Sequence, residues 1–287
     1  MPRISVLMGT YNETNRKHVR LAIDSILRQT FTDFEFIICD DGSEIGFYRW
    51  LAQYCKKDKR IILLRNDKNH GLAFTLNRCL EYAKGDFIAR MDADDISMAA
   101  RLERQHSFLA SHAAYALVGC YAYLFDEKGV WGIRRLPEKP GKMSFLQTSV
   151  FIHPAVMIRR EVIEELHGYD EQPWKLRVED YDFFMRMYVA GYCGYNLPET
   201  LFAYRENNSS YRKRKLRWRF HECAVRYCGF QSLGVLHGNI RYVVKPLAAG
   251  MIPAWVMRVL RKIKYGKRMA WKIEGAVEHG RDCHIKL

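Results

Sequence analysis

A chain of 287 residues is long enough for one large α/β domain with an appendage, or for two small domains. Because 48% of its residues are hydrophobic, it can bury a full core, which excludes extensive disorder. The 8 cysteines form no Cys-x-x-Cys pair, and neither a signal-peptide pattern nor an uncharged apolar run of roughly 18 residues is present. We therefore expect a reduced, cytoplasmic protein without a zinc site or a transmembrane helix. The net charge of +14 lies in the tail, because residues 211–287 hold 18 basic and 4 acidic residues whereas residues 1–210 hold 28 of each.

The first hundred residues alternate short apolar runs with segments of helical spacing. Apolar residues recur at helical intervals from Val19 to Leu27 and from Leu72 to Ala83, which gives each predicted helix one buried stripe. The apolar runs around these helices are predicted to be strands: Ile4–Met8, Phe34–Cys39, Ile61–Leu64 and Phe87–Met91. This alternation predicts βαβ units and a parallel, doubly wound sheet, in which ligands bind at the carboxyl ends of the strands.

Polar residues follow three of these four strands. The segments are Gly9–Glu13, Asp40–Ser43 and Asp92–Asp95. Turn formation and helix capping explain Gly42 and Ser43 well. They explain Asp92 and Asp94 poorly, because alternate carboxylates at a strand end repel each other unless a cation or strong donors are present. Hard oxygen ligands suit Mg²⁺ or Mn²⁺ held with a diphosphate, but Asp-x-Asp is a short and common pattern, so a metal site and a structural role both stay open.

The pattern after Asp95 is less regular. Helices are predicted over Arg101–Ala110 and Glu179–Ala190, and the apolar run Tyr115–Phe125 leads through a turn into Val130–Ile133 as a hairpin. Glu179 and Asp180 stand at the start of the second helix, where a favourable interaction with the helix dipole is the usual explanation. A catalytic interpretation requires a carboxylate that accepts a hydroxyl proton, and spacing does not decide between the two.

Taken in order, these motifs resemble those of the family-2 inverting glycosyltransferases of the bacterial surface-polysaccharide type, which have the GT-A fold. The resemblance covers about the first 205 residues and depends on the joint order of several motifs, each of them weak alone. The matching segments are Ser5–Glu13, Asp40–Ser43, Asn69–Ala73, Leu76-Asn77, Ala89–Ile96, Arg101–Gln105, His153-Pro154 and Glu179–Asp182. The resemblance implies a Rossmann-like, mostly parallel sheet with flanking helices over residues 1–210, and we expect a basic helical extension over residues 211–287.

The resemblance also implies a donor pocket built from the first two strand ends. Thr10, Tyr11 and Asn12 would line the pocket for the base and ribose, with Tyr11 against the base and Glu13 nearby. Asp41 would contact the base, which is most often uracil in this family. The implied donor is therefore a UDP-sugar.

The remaining implied roles belong to acids and one arginine. Asp92 would meet the ribose or the metal, and Asp94 would ligate the Mn²⁺ or Mg²⁺ that bridges the donor diphosphate. Asp180 would be the catalytic base, with Glu179 beside it in the acceptor region. Arg205 could pair with phosphate or form an ordinary surface ion pair, and the two interpretations weigh equally.

Two histidine positions are harder to interpret. The family often has a histidine where this chain has Asn207, so a role that needs an imidazole there lacks support. His153 precedes a proline, and we favour a structural role for it because the sequence gives it no partner.

The tail combines cations with aromatic and apolar residues. Arg212–Phe220 interleaves the two kinds, and further on Trp255, Val256, Val259, Leu260 and Ile263 form one helical stripe opposite Arg258, Arg261, Lys262 and Arg268. An amphipathic, cationic helix with tryptophan at its apolar margin is typical of the membrane interface. We favour binding of residues 211–273 to an anionic membrane surface over simple packing on the catalytic domain. Single-stranded nucleic acid is a weaker alternative, because no nucleic-acid-binding module accompanies the tail, and we expect no nucleic-acid partner.

These features together predict an inverting glycosyltransferase that acts at the inner face of the cell membrane. It would move a hexosyl or N-acetylhexosaminyl group from a nucleotide-sugar to a hydroxyl of a glycan or lipid-linked saccharide. The alternative is a non-catalytic protein that binds nucleotide-sugars or takes part in assembly. A nucleotidyltransferase is disfavoured, because Gly9–Glu13 offers a single glycine and an acid where a glycine-rich, basic phosphate loop would be needed.

Overall fold

The computed structural model describes residues 1–13, 15–206 and 216–266, and these residues form a central sheet with helices on both faces. The strands are β1 (Ile4–Thr10), β2 (Phe34–Asp40), β3 (Ile61–Arg65), β4 (Phe87–Asp92), β5 (Ile96–Ser97), β6 (Leu117–Asp126), β7 (Gly129–Arg134), β8 (Met157–Arg159) and β9 (Gly194–Arg205). Their order in the sheet is β3-β2-β1-β4-β8-β6-β9-β5, with β7 paired to β6. This is the mixed α/β architecture that the sequence predicts.

The parallel half of the sheet determines where the polar strand ends meet. Strands β3, β2, β1 and β4 pair in parallel, and Gly9 of β1 lies beside both Cys39 of β2 and Asp92 of β4. The carboxyl ends of these strands therefore form one edge, as expected for a doubly wound sheet. Strand β8 joins the two halves by antiparallel pairing to β4 and β6, and β9 runs parallel to β6.

The helices of the first two hundred residues follow the predicted alternation, with two additions. They are α1 (Arg16–Leu27), α2 (Ile45–Cys55), α3 (Leu72–Tyr82), α4 (Arg101–Ser111), α5 (Arg160–Glu165) and α6 (Glu179–Val189). The sequence-based assignment of α1, α3, α4 and α6 is confirmed within a few residues, and β6 and β7 form the expected antiparallel hairpin. Helices α2 and α5 were not predicted, although Phe47, Leu51 and Cys55 of α2 are buried at intervals of four residues.

Two hydrophobic cores lie on opposite faces of the sheet, because side chains alternate along each strand. In β1, Ile4, Val6 and Met8 pack with α1, α2 and α4 on one face. Leu7 points to the other face, where α3 and α6 pack. The phenylalanines of α6, Phe183 and Phe184, are fully buried there.

Residues 216–266 form three helices: α7 (Leu216–Ser232), α8 (Ile240–Gly250) and α9 (Ala254–Tyr265). Val225 and Phe230 of α7 and Val243 of α8 are buried in the same core as α6, so these two helices pack on the α/β unit. Helix α9 instead contacts β7 and leaves Trp255 and Ile263 exposed. In the described part of the chain, no helix is both long and apolar enough to cross a membrane. Asn207, residues 211–215, which include the start of the basic run, and residues 267–273 of the predicted membrane-binding segment lie outside the described residues.

Candidate active site

Three carboxylates gather at the carboxyl end of β4. One oxygen each of Asp92, Asp94 and Asp95 lies within 4.8 Å of the others. Asp92 accepts a hydrogen bond of 2.6 Å from Nη2 of Arg90, and Asp95 accepts one of 2.7 Å from the backbone N–H of Arg205. Asp95 is buried, and this burial together with the charges of Asp94 and Asp92 raises its pKa well above the ordinary value.

The chemistry of this acid cluster fits a divalent cation. The second carboxylate oxygen of Asp95, Oδ2, is buried and has no hydrogen-bond partner among the described residues. Like charges this close are unfavourable unless something neutralises them, and hard carboxylate oxygens are the ligands that Mg²⁺ and Mn²⁺ prefer. Asp92 and Asp94, predicted as metal ligands, are thus brought together with a third acid, Asp95.

Arg205 lies inside this cluster. It is only 3% exposed, its Nε donates a hydrogen bond of 2.8 Å to the backbone oxygen of Asp94, and its guanidinium stacks over Phe125 at 4.4 Å. A surface ion pair, one of the two interpretations of Arg205, is therefore wrong. The side chain instead places a positive charge directly behind the acids.

The predicted nucleotide side lies at the ends of β1 and β2. Thr10 is buried, whereas the ring of Tyr11 is 50% exposed and thus accessible to a planar ligand. Asn12 has a left-handed backbone (φ 42°), and its Oδ1 accepts a hydrogen bond of 2.9 Å from the backbone N–H of Glu44 at the start of α2. Glu13 accepts a hydrogen bond from the backbone N–H of Asn15. Asn12 therefore ties the first strand end to the second helix.

Asp41 has a more structural environment than the sequence suggested. Its Oδ1 accepts hydrogen bonds from Asn66 Nδ2 and the backbone N–H of His70, and its Oδ2 from Asn69 Nδ2 and the backbone N–H of Gly71. These four distances lie between 2.7 and 3.0 Å. An ionised carboxylate has about four acceptor sites, so Asp41 uses its full capacity to hold the loop between β3 and α3.

The first turn of α6 carries the other predicted acids, Glu179 and Asp180. Burial raises the pKa of Asp180, and the positive charge of Arg134 opposes that rise. Glu179 is 8% exposed, and its Oε2 is buried without a hydrogen-bond partner among the described residues. Burial, assisted by the charge of Asp180, raises the pKa of Glu179 to about 7.

A pocket of about 200 Å³ lies beside Glu179. The loop before α6 forms one wall, where Lys175 makes ion pairs of 2.6 Å with Asp170 and 2.7 Å with Asp182. Other lining residues are His70, Ala73, Phe74, Glu171, Gln172 and Leu176. The rings of His70 and Phe74 stack at 4.3 Å and offer an apolar surface next to the carboxyl groups.

The elevated pKa of Glu179 makes the stability of the fold depend on pH. An unfolded glutamate ionises near its ordinary pKa of 4.5, whereas the folded state keeps the proton up to about 7. The folded state therefore holds the extra proton, and its stability falls as pH rises through this window. Glu179→Gln is expected to leave the free energy of unfolding unchanged near pH 4 and to raise it at pH 8 by at most about 3 kcal/mol. Urea unfolding at both pH values measures this, with the exposed Glu171→Gln as a control; equal effects of Glu179→Gln at both would contradict it.

His153 and Tyr169 form a buried hydrogen-bonded pair that the sequence did not reveal. His153 Nε2 and the hydroxyl of Tyr169 share a hydrogen bond of 2.8 Å. Burial lowers the pKa of His153 well below the ordinary value, and the nearby charge of Arg90 lowers it further, so the imidazole is neutral. The structural role favoured for His153 gains a partner, Tyr169. Arg90 could have been found from the sequence, because residues two apart in a strand share a face and Arg90 stands two before Asp92.

The chain is similar to a described family and to curated bacterial proteins. The model of "Glycosyl transferase family 2" matches residues 5–167. The putative glycosyltransferase EpsE of Bacillus subtilis is 37% identical over 97% of this chain and 98% of its own length. The O-antigen biosynthesis glycosyltransferase WbnJ of Escherichia coli is 33% identical over 77% of this chain and 85% of its own.

Solved structures share the fold at low sequence identity. The mannosyltransferase PcManGT from Pyrobaculum calidifontis, in complex with GDP-Man and Mn²⁺, superposes with a TM-score of 0.64 at 18% identity, covering 92% of this chain and 80% of its own. Residues 1–349 of S. aureus TarS, in complex with UDP, superpose with a TM-score of 0.59 at 18% identity, covering 82% and 70%.

Proposed function

The chain belongs to glycosyl transferase family 2, and on this basis we propose that it transfers a sugar from a nucleotide-sugar to a hydroxyl group of a glycan or lipid-linked saccharide. The proposed donor is a UDP-sugar, and the proposed transfer inverts the configuration at the anomeric carbon. Surface-polysaccharide assembly is the proposed setting, because the similar WbnJ is an O-antigen biosynthesis enzyme. The observation that carries the proposal is the meeting of the Asp92–Asp95 acid cluster with the nucleotide-side residues at one sheet edge.

The donor would be held by the ends of β1, β2 and β4. The exposed ring of Tyr11 suits stacking against the base, with Thr10, Asn12 and Glu13 around it. Asp41 would contribute chiefly by holding the loop before α3, and would contact the base only if one of its four donors yields.

Asp94 and Asp92 would hold Mn²⁺ or Mg²⁺. When bound, such a cation neutralises negative charge on the donor diphosphate and on the departing nucleotide. The chain itself supplies a second positive charge near these acids, the guanidinium of Arg205, which donates a hydrogen bond to the backbone oxygen of Asp94.

Asp180 would act as the general base. Its carboxylate accepts the proton of the acceptor hydroxyl while that oxygen forms a bond to the anomeric carbon of the donor sugar. The bond from that carbon to the phosphate oxygen breaks on the opposite face, and the electron pair leaves with the nucleoside diphosphate. Glu179, whose carboxyl adjoins the pocket, would hydrogen-bond hydroxyl groups of the acceptor.

A panel of UDP-, GDP- and dTDP-sugars tests this function. Nucleoside diphosphate release would be measured with Mn²⁺ and lipid-linked acceptors, with and without EDTA. Release from one donor, together with a β-linked product from an α-linked donor by proton NMR, is expected. An α-linked product would overturn the inverting mechanism, and tight nucleotide binding without release from any donor would favour a non-catalytic binding protein.

Residues 211–287 are proposed to form the membrane-associating part, at the inner face of the cell membrane. On α9, Trp255 is 71% exposed, Val259 50% and Ile263 75%, whereas Arg258 and Arg261 turn inward to acidic partners. The outer face is therefore apolar and flanked by the exposed Lys262 and Lys264. This arrangement suits a bilayer with anionic lipids.

Trp255→Glu combined with Ile263→Glu is expected to weaken binding to anionic vesicles by about tenfold or more, since each apolar side chain contributes on the order of 1.5 kcal/mol when buried. Sedimentation with phosphatidylglycerol-containing vesicles measures this. Val189→Glu, at an exposed valine on α6, is the matched control and should bind normally. Binding of the wild type to purely zwitterionic vesicles as tight as to anionic ones would contradict the charge argument.

A further inference from the structure

Helix α9 lies at the carboxyl ends of two parallel neighbours in the sheet, β6 and β9. Phe125 of β6 and Arg205 of β9 are partners in register, and the guanidinium of Arg205 stacks on the Phe125 ring. The residue after each of them, Asp126 and Glu206, is an acid that forms an ion pair with an arginine of α9. The inward face of the helix therefore holds both strands one residue beyond the Phe125–Arg205 pair.

The closer of the two ion pairs joins Arg261 to Glu206. Nη2 of Arg261 donates a hydrogen bond of 2.5 Å to Oε2 of Glu206, whose side chain is only 2% exposed. Arg258 and Asp126, by comparison, are 3.6 Å apart. A carboxylate removed from water is costly unless a cation pairs with it, so Arg261 determines where the carboxylate of Glu206 is stable. The backbone N–H of Glu206 also donates a hydrogen bond of 2.9 Å to the carbonyl oxygen of Phe125.

Glu206 directly follows Arg205, the residue that supports the acid cluster. The backbone N–H of Arg205 donates a hydrogen bond of 2.7 Å to the carboxylate of Asp95, and its Nε donates one of 2.8 Å to the backbone oxygen of Asp94. A single peptide unit therefore separates the ion pair with α9 from two hydrogen bonds to the cluster. Hydrogen bonds weaken steeply when their distance or angle changes, so a displacement of Glu206 would loosen both.

We propose that Glu206 and Arg261 are positioning residues for the divalent cation of the donor site. Their ion pair fixes Arg205, which in turn fixes the backbone of Asp94 and the carboxylate of Asp95. This inference rests on the proposed function, in which the acid cluster holds Mn²⁺ or Mg²⁺. Such cations bind well only when their ligands have the right geometry, and groups behind the ligands control that geometry. Helix α9 is thereby part of the donor site, in addition to its proposed contact with the membrane.

Binding of UDP to the full chain, measured by calorimetry with Mn²⁺ and again with EDTA, tests the proposal without a known acceptor. The readout is the ratio of the two affinities, because a variant that merely destabilises the fold does not change this ratio. Arg261→Gln is expected to lower the ratio by about tenfold, as is typical when a group that orients metal ligands is lost. Arg261→Lys keeps the charge and should restore much of the ratio.

Arg104→Gln is the matched control. Arg104 of α4 forms an ion pair of 2.8 Å with Glu199 of β9, so it also joins a helix to this strand, but both side chains are more exposed and Glu199 lies well before Arg205 along the strand. Exposed ion pairs contribute little, so this variant should keep the wild-type ratio. If Arg261→Gln alone melts too early for binding to be measured, Arg261→Gln combined with Glu206→Gln, which leaves neither charge unpaired, should show the same loss.

Two results would overturn the proposal while the proposed function stands. Arg261→Gln could lower the melting temperature and yet keep the wild-type ratio, which would show that the ion pair only stabilises the fold. Alternatively, Arg104→Gln could lose as much of the ratio as Arg261→Gln, so that the effect would not be specific to α9. A wild type that binds UDP equally well with Mn²⁺ and with EDTA would instead contradict the proposed metal site, and this inference would fall with it.

Discussion

Replacing Asp180 by asparagine is expected to reduce kcat for sugar transfer by about 10²- to 10⁴-fold, the range that general-base catalysis contributes. Asparagine matches the shape of aspartate but cannot accept the proton of the acceptor hydroxyl. Since only the ionised carboxylate is a base and burial raises the pKa of Asp180, wild-type kcat/KM should rise with pH through that elevated pKa. Initial rates of nucleoside diphosphate release across pH 5 to about 9 measure both effects.

Donor binding supplies the control for this variant. Asp180→Asn should keep the wild-type affinity for UDP, because Asp180 lies on α6 and not on the strand ends that would hold the nucleotide. Its melting temperature should be no lower than that of the wild type, because the variant removes a carboxyl group whose charged form is disfavoured by burial. A variant that retains the wild-type rate, with the same pH profile, would exclude Asp180 as the base. Glu179, its neighbour in the first turn, would then be the next residue to test.

Replacing Asp94 by asparagine is expected to cost about 10²-fold or more in kcat/KM, comparable to the loss of other groups that stabilise developing charge in a transition state. The reason is the loss of a hard, charged ligand from the acid cluster. In the wild type, Mn²⁺ should strengthen UDP binding and EDTA should reverse the effect. In Asp94→Asn this dependence should largely disappear.

Asp86→Asn is a matched control for Asp94→Asn. Asp86 is an exposed carboxylate before β4, at the opposite end of that strand, where it pairs with Arg3. Its replacement should leave both turnover and the metal dependence of UDP binding unchanged. Strengthening of UDP binding by Mn²⁺ to the same degree in Asp94→Asn as in the wild type would contradict a metal role for this residue.

The parallel half of the sheet could be predicted from the sequence, because the apolar patterns of its strands and helices agree with the way in which these elements pack. The buried runs around Val6, Ile37 and Ala89 are separated by helices with single apolar stripes, and parallel pairing then forces their polar ends to one edge. The positions of Asp92 and Asp94 follow directly. Their neighbour Asp95 is buried and accepts a hydrogen bond from the backbone of Arg205 on β9, a strand that lies far away in the sequence.

The contacts between distant segments were beyond sequence reasoning. The hydrogen bond between His153 and Tyr169 is one example, because neither residue lies in a motif whose spacing relates it to the other. The charge pattern indicated a basic extension after residue 210 but not that α7 would bury Phe230 against α6. The boundary between residues 210 and 211 stays a prediction, because composition reports charge and not packing.

The four hydrogen bonds that converge on Asp41 have a consequence for the thermodynamics of donor binding. A loop that must become ordered around its ligand loses conformational entropy at that moment, and the affinity falls accordingly. Here the loop between β3 and α3 is already fixed by two side-chain amides and two backbone N–H groups before any donor arrives. The entropy of that segment is lost during folding, so a nucleotide that bound against this loop would not lose affinity to the ordering of the segment.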